Sequence, residues 1–257
     1  MEKNKRVTDI MTRFKKHKEI RKPHEARMIA SAKYILPNRE ILMHGRHKKG
    51  EKTHADIFDG SPEYAFGMMC NCMVGYTASA SFKWFKTQMA RHALNDDPEV
   101  KQWCQESDEI HYGELQNSNF YNALNQFVRD GASSLAGMHI DEDLSGDELV
   151  FQVLHPWELF IARNRSGNVD TIYRDHWMTA RNAVRKYGKD VLPKDIRKSA
   201  KDESEEEYEF LNAIYPAEEF TPGLAGIEGK SIASEHIAVS DEKYLMKSGY
   251  DSMPIIT

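Results

Sequence analysis

Two stretches of this 257-residue chain gather side chains able to hold a metal ion or move a proton. In the first, His44, His47, His54 and Asp56 fall close together, and imidazole with carboxylate is common ligand chemistry for divalent metals. Arg46, Lys48, Lys49 and Lys52 lie among them, and their charges oppose a dication, so a solvated basic loop is the better reading. In the second, Asp141, Glu142, Asp143 and Asp147 follow His139, the composition of a cation site or a nuclease-like carboxylate cluster. Their spacing lacks the ligand order of an EF-hand. The run also lies between two strand-like segments, where a polar hairpin turn is expected.

Other chemistry is excluded motif by motif. The sequence contains no G-x-x-x-x-G-K-[ST] loop to cradle phosphates, no G-x-S-x-G elbow, no H-E-x-x-H and no G-x-G-x-x-G after a strand. Cys70, Cys72 and Cys104 are too few for a disulfide framework, and a lone C-x-C pair is weak zinc spacing. Packed, reduced thiols in a reducing compartment are expected. The reading is therefore of a chain without catalytic, cofactor-binding or metal-binding residues, and no cofactor is expected.

Charge says more than its sum of −5. Residues 1–54 carry 16 Lys and Arg against 6 Asp and Glu, which leaves the remainder strongly acidic, so the two ends face different partners. Five of the 11 histidines, His17, His24, His44, His47 and His54, lie in this basic part. Its cations suit phosphate contacts, a solvated helix face or a subunit contact, and aromatics are not interleaved with them as in a single-strand groove. Arg181, Arg185 and Lys186 are open to the same readings. No stretch reaches the roughly 18 to 20 apolar residues that span a bilayer, and no membrane partner is expected.

The elements that position these residues follow from periodicity and capping. Val7, Ile10, Met11 and Phe14 line one face of a helix. Pro23 is expected to interrupt it and open a second helix that stops at Pro37. Residues 38–53 are polar, without periodicity, and read as a loop. Ser61 and Pro62 then signal the N-cap and first position of a helix whose Ala65, Met68, Met69 and Cys72 form the expected buried stripe. Tyr64, Phe66 and Met73 make its other faces apolar too, so neighbours should surround it. Phe82, Trp84 and Phe85 read as a core plug.

Asp97, Pro98 and Glu99 start a helix through Val100, Trp103, Cys104, Ile110 and Leu115. After Ser118 another follows, with Phe120, Leu124, Phe127 and Val128 inward. From about Ser134 the period becomes strand-like: 148–154, 158–162 and 168–176 are short apolar runs divided by turns at 141–147 and 164–168. Thr179 caps a short helix, Ala180 to Tyr187, closed by Gly188. A second is expected near 195–200, before a solvated acidic run from Asp202 to Glu207. Strands resume at 208–216, 231–239 and 242–250, the first two separated by a turn at 221–229. The sequence stops inside the apolar run MPIIT, as expected of a piece of a longer protein.

The order of these segments resembles the head-to-tail connecting (portal) proteins of short-tailed bacteriophages. The resemblance rests on opening helices ending at Pro37, on Asp59 before the helix from Ser61, and on Trp84 with Phe85. It continues through Ser118 to Tyr121, through Gly167, Val169, Asp170 and Arg174, and through LPKDIRK at 192–198. It implies an α+β wing-like fold, N-terminal helices packed on an antiparallel β-meander with short helices. Residues 1–54 would be a basic helical arm and loop, 55–133 the helical part of the wing, and 134–257 its α+β part, with stem and clip lying beyond.

The resemblance further implies a structural protein, not an enzyme, that forms a homo-oligomeric ring, a dodecamer in the full-length form, at one capsid vertex of the virion after assembly in the host cytoplasm. Its implied partners are other copies of itself, capsid and scaffolding proteins, the terminase motor, tail proteins and the double-stranded DNA passing through its channel during packaging and ejection. A wing piece alone is expected to be monomeric and to expose Ile255 and Ile256. The runner-up from another class is a prophage nucleic-acid-binding regulator, or a metal-dependent nuclease-like enzyme using the basic N-terminus and the Asp141 to Asp147 carboxylates.

Overall fold

Antiparallel pairing and amphipathic helices account for nearly all the order in the computed structural model, which describes residues 2–37, 57–143, 148–202, 204–217, 221–224 and 226–257. In chain order the helices are α1 (Glu2–Ile35), α2 (Ser61–Thr77), α3 (Pro98–Asn117), α4 (Phe120–Ser133), α5 (Ala180–Tyr187) and α6 (Lys194–Lys201). The strands are β1 (Gly137–Asp143), β2 (Glu148–Leu154), β3 (Leu159–Arg163), β4 (Val169–Thr179), β5 (Glu207–Pro216), β6 (Ile232–Ala238), β7 (Lys243–Tyr250) and β8 (Ile255–Ile256). All pair antiparallel, as an α+β fold with a meander requires. The chain divides into two compact units, residues 1–26 with 157–254, and residues 27–156 with 255–257.

In the first unit, five strands meander in the order β3-β4-β5-β6-β7. Side chains alternate across a strand, and here the alternation sorts two cores. Leu211, Ala213 and Tyr215 of β5 and Ala233 and Ile237 of β6 meet Val7, Ile10, Met11 and Phe14 of α1 on one face. Phe210 and Ala238 turn to the other, where Ala180, Ala183 and Tyr187 of α5 and Ile196 of α6 cover them. Burial of a side chain such as Phe14 contributes about 2 to 3 kcal/mol. Its ring meets Phe160 edge-on at 5.0 Å.

α1 does not break at Pro23. A proline removes one backbone bond and crowds the preceding turn, but the residues before it are held by tertiary contacts. Arg21 Nη1 donates to the carbonyls of Trp157 (2.7 Å) and Leu159 (3.2 Å), and its guanidinium lies 3.6 Å from the Phe160 ring centroid. α5 begins and ends as its capping residues dictate: the Asn182 N–H donates to Thr179 Oγ1, and Gly188 follows the last turn at φ 81°.

In the second unit, α4 lies on the β2-β1-β8 sheet through Phe120, Ala123, Met138 and Phe151. Asp97 caps α3 by accepting from the Glu99 and Val100 N–H groups. The run after His139 was expected as a turn, yet Asp141 to Asp143 extend β1 in register with β2. Pairing with Val150 and Leu149 overrides the turn preference of the acidic residues. β8 adds to the far edge of β1. That pairing buries Ile255 to 4% exposure and leaves Ile256 at 47%, so only one of the two expected to be open is so.

Two further expectations are corrected in this unit. Gly60, not Ser61, is the N-cap of α2 and makes no side-chain bond. Asp59 takes that role from one position back: its Oδ1 accepts from Ser61 N (2.9 Å) and Oγ (2.7 Å), and these bonds hold its carboxyl below the usual range. Phe82 is exposed, and only Trp84 and Phe85 pack, Trp84 stacking with Phe120. On α3, Cys104 and Asp108 face inward while Trp103 and Ile110 are exposed, because the buried Asp108 takes the Thr87 N–H at 2.8 Å and fixes which face turns in.

Candidate interaction surfaces

Neither metal candidate is assembled among the described residues. His44, His47, His54 and Asp56 lie outside them, as does Asp147. His139, Asp141, Glu142 and Asp143 stand on β1, where successive residues alternate between faces. No group of three or more His, Cys, Asp or Glu among the described residues is placed to hold a metal ion.

Buried polar groups concentrate instead between α1 and the meander. Glu235 is fully buried, and Arg6 Nε lies 2.7 Å from its Oε1. Arg6 Nη2 donates to Tyr215 Oη at 3.2 Å. Burial lowers the Arg6 pKa, but Tyr215 and Glu235 outweigh it and the net shift is upward. Burial pushes the Tyr215 and Tyr244 phenols up to about 12. Nearby, Lys18 lies 2.8 Å from Asp175 and 3.5 Å from Glu209, whose carboxyl is raised by burial and by Asp175. On the opposite face, His176 is held neutral, its pKa lowered to about 3 by burial and by the charges of Arg174 and Lys186. A cation reaching a fully buried carboxylate pins a helix to a sheet; it offers no open site for a substrate.

Sequence reasoning passed over Glu235, although the signal was present. In Ala233-Ser234-Glu235-His236-Ile237 the carboxylate occupies an apolar face of a strand, a place ionised groups take only when paired.

The short motifs of the chain prove to be joints. Ser118 Oγ donates to Leu115 O and accepts from Phe120 N, closing α3 and opening α4. Asn119 exchanges two bonds with Phe151 of β2, Nδ2 donating to its carbonyl (2.9 Å) and Oδ1 accepting from its N–H (2.8 Å). The Asn119 amide therefore acts as a one-residue strand on the β2 edge. Phe120 fills the core, and the Trp84 indole donates to Tyr121 Oη at 3.4 Å. Between β3 and β4, Gly167 takes a positive φ of 86° in a turn organised by Asn164, whose Oδ1 accepts from Ser166 N and Asn168 N. Farther along β4, Arg174 pairs with Glu158 at 3.0 Å.

The surface that stands out is α2. Beyond Glu63 it carries no charged residue, yet Cys70 is its only buried residue. It turns a small-residue face toward α4: Asn125 Nδ2 donates to Asn71 Oδ1, and a Cβ at Gly67 would stand 3.7 Å from the Arg129 guanidinium. The opposite face, which holds the stripe expected to be buried, is open: Ala65, Met68, Met69 and Cys72 are all exposed. Tyr64 at 72% and Tyr76 at 88% flank it, with Met73 also exposed. Close approach is possible only on the small side, so the chain packs Gly67, Cys70 and Val74 and leaves the larger side chains out. An uncharged apolar helix face marks an interaction surface more often than a solvated one. Methionine, flexible and polarisable, adapts readily to a partner's shape. Cys72, expected to be packed, is exposed on this same face.

The expected basic residues of α5 are also on the surface, with Arg181, Arg185 and Lys186 all exposed. Among the described residues no helix is long and apolar enough to cross a membrane.

A family model described as "Bacteriophage head to tail connecting protein" matches residues 7–257. Two curated relatives agree with it. A "Probable portal protein" of Bordetella phage BPP-1 is 28% identical over 159 residues, 61% of this chain and 28% of that protein. The "Portal protein" of Salmonella phage epsilon15 is 22% identical over 246 residues, 93% of this chain and 44% of that protein. The matched stretches thus cover less than half of either relative.

Proposed function

The chain belongs to the bacteriophage head to tail connecting protein family, and we propose that it is the wing region of a portal, a ring of identical subunits at one capsid vertex of the virion. The family is structural, and the proposed role is architectural, not enzymatic. In this assignment residues 1–54 form the basic arm, 55–133 the helical part of the wing and 134–257 its α+β part. The complete protein would form the ring, a dodecamer assembled in the host cytoplasm on capsid and scaffolding proteins. It would engage the terminase motor and tail proteins and pass double-stranded DNA in packaging and ejection.

The observation that carries this reading is the open face of α2. In a ring built from one kind of chain, a surface left uncovered within a subunit is covered by the same chain's neighbour. Tyr64, Met68, Met69 and Tyr76 supply the aromatic and methionine composition enriched at the centres of protein interfaces. The wing reading also accounts for the joints: Asn119, Arg174 and the Arg6–Glu235 pair tie elements together within each unit, as a component that bears load during DNA movement requires.

The test is electron microscopy and native mass spectrometry of the full-length protein. Closed rings of one subunit number, lost when Met69→Glu and Tyr76→Glu are combined while circular dichroism stays unchanged, support the proposal. A full-length protein that remains monomeric at high concentration contradicts it.

A further inference from the structure

α6 carries a feature that the connector role does not use. Lys194, Arg197, Lys198 and Lys201 recur at i, i+3, i+4 and i+7 and line a cavity of about 450 Å³ together with Lys189 and Asp190. Ile196 on the opposite side of the helix is buried in the core beneath α5, which holds the stripe outward. None of the five cations is in an ion pair among the described residues. Of the carboxylates near in sequence, Asp190 shares the lining and Asp202 follows the last turn, while Asp195 and Glu206 act on Tyr208, and Glu206 accepts from the Ser199 and Tyr208 hydroxyls.

Within the stripe the cations are unfavourable neighbours of one another. Like charges at i, i+4, here Lys194 with Lys198 and Arg197 with Lys201, repel each other. The helix dipole disfavours Lys194 in the first turn and favours Lys198 and Lys201 in the last. Solvation alone would be served as well by alternating signs. A cavity with five cations and one carboxylate in its lining gains most from an anion supplied from outside.

Its shape selects the kind of anion. From Lys194 to Lys201 the helix rises about 10 Å, and phosphates follow one another every 3.4 Å of axis along one strand of a duplex. A strung-out row of side chains matches a repeating chain of phosphates better than a single compact one. We propose that the α6 stripe, extended by Lys189, binds the phosphodiester backbone of nucleic acid without reading sequence. The proposal does not rest on ring formation and is tested separately from it.

The experiment is fluorescence anisotropy of a labelled mixed-sequence DNA duplex with the full chain, titrated with NaCl. A log affinity that falls against log salt with a slope of about −4 is expected for four or five phosphate contacts. Lys198→Glu with Lys201→Glu is expected to weaken binding at least tenfold at about 100 mM NaCl and to flatten that slope by about 2. Lys5→Glu with Lys16→Glu makes the same change of net charge on α1 and is expected to change affinity less than threefold. The neutral pair Lys198→Ala with Lys201→Ala is expected to fall between, which guards against a folding defect in the reversed pair.

Four results would overturn the proposal: no binding at low salt, equal losses from both charge-reversed pairs, competition by inorganic tripolyphosphate at the same phosphate concentration as unlabelled DNA, or equal capture by anionic lipid vesicles.

Discussion

α1 and α2 present the same pattern, an apolar stripe at three- and four-residue spacing, and come to opposite fates. The stripe of α1 is closed over by the meander within its own unit: Val7, Ile10, Met11 and Phe14 are all at or below 5% exposure. The stripe of α2 lies open. What differs is the second side of each helix. α1 is lysine- and arginine-rich away from its stripe, so only one face can turn inward. α2 carries no charge beyond Glu63 in its first turn, and the side that packs is the one whose small residues permit close approach. Periodicity therefore identifies a face that avoids water, while the source of its cover depends on what competes for the interior.

The sharpest way to break this comparison is to shorten one side chain on each stripe. Phe14→Ala is expected to lower stability by about 3 to 5 kcal/mol in urea denaturation, whereas Met69→Ala should stay within about 0.5 kcal/mol. Equal losses would mean that α2 is buried within the chain after all.

A second contrast concerns polar groups inside the two units. Asn119→Ala leaves the Phe151 backbone unpaired and should cost about 1 to 3 kcal/mol. In the first unit, Arg6→Ala strands the Glu235 carboxylate, and adding Glu235→Gln should recover part of the loss. If the double variant is as unstable as the additive sum of its single changes, the two residues are not coupled.

A third uses pH. The folded pKa of His176, about 3, lies below that of the unfolded chain, near 6.5. Between these values the unfolded state binds a proton that the folded state refuses, so this group's contribution to stability falls as pH falls. The slope is about 1.4 kcal/mol per pH unit. Urea titrations at pH 6.5 and 5 should show a loss of about 2 kcal/mol from this residue, reduced in His176→Asn. An unchanged slope in that variant would show that another group is responsible.

Much of this fold is legible in the chain because its signals are local. Thr179 and Gly188 frame α5, Asp97 caps α3, and the Asn164 to Asn168 turn separates two strands at the expected place. What escapes sequence reading is set by distant partners. Arg6 and Glu235 are separated by most of the chain. β1 is masked by its acidic residues until β2 and β8 pair with it, and Pro23 is tolerated because Arg21 is clamped by the β3 region. The basic stripe of α6 was present in KDIRKSAK as a spacing, but its significance depends on Ile196 facing the core. The apolar stripe of α2 is legible in the sequence, but that it stays open depends on the small residues of the opposite side packing toward α4.

The most direct measurement uses Cys72, the one exposed thiol of the three, centred on the α2 face, with Cys70 and Cys104 buried. Maleimide modification of the full-length protein, followed by mass spectrometry, reports whether that face is covered. In unassembled subunits Cys72 should react rapidly and Cys70 slowly, and in assembled rings Cys72 should become protected as well. Rings in which Cys72 reacts as fast as in the free subunit would contradict the assignment of this face to the neighbouring copy.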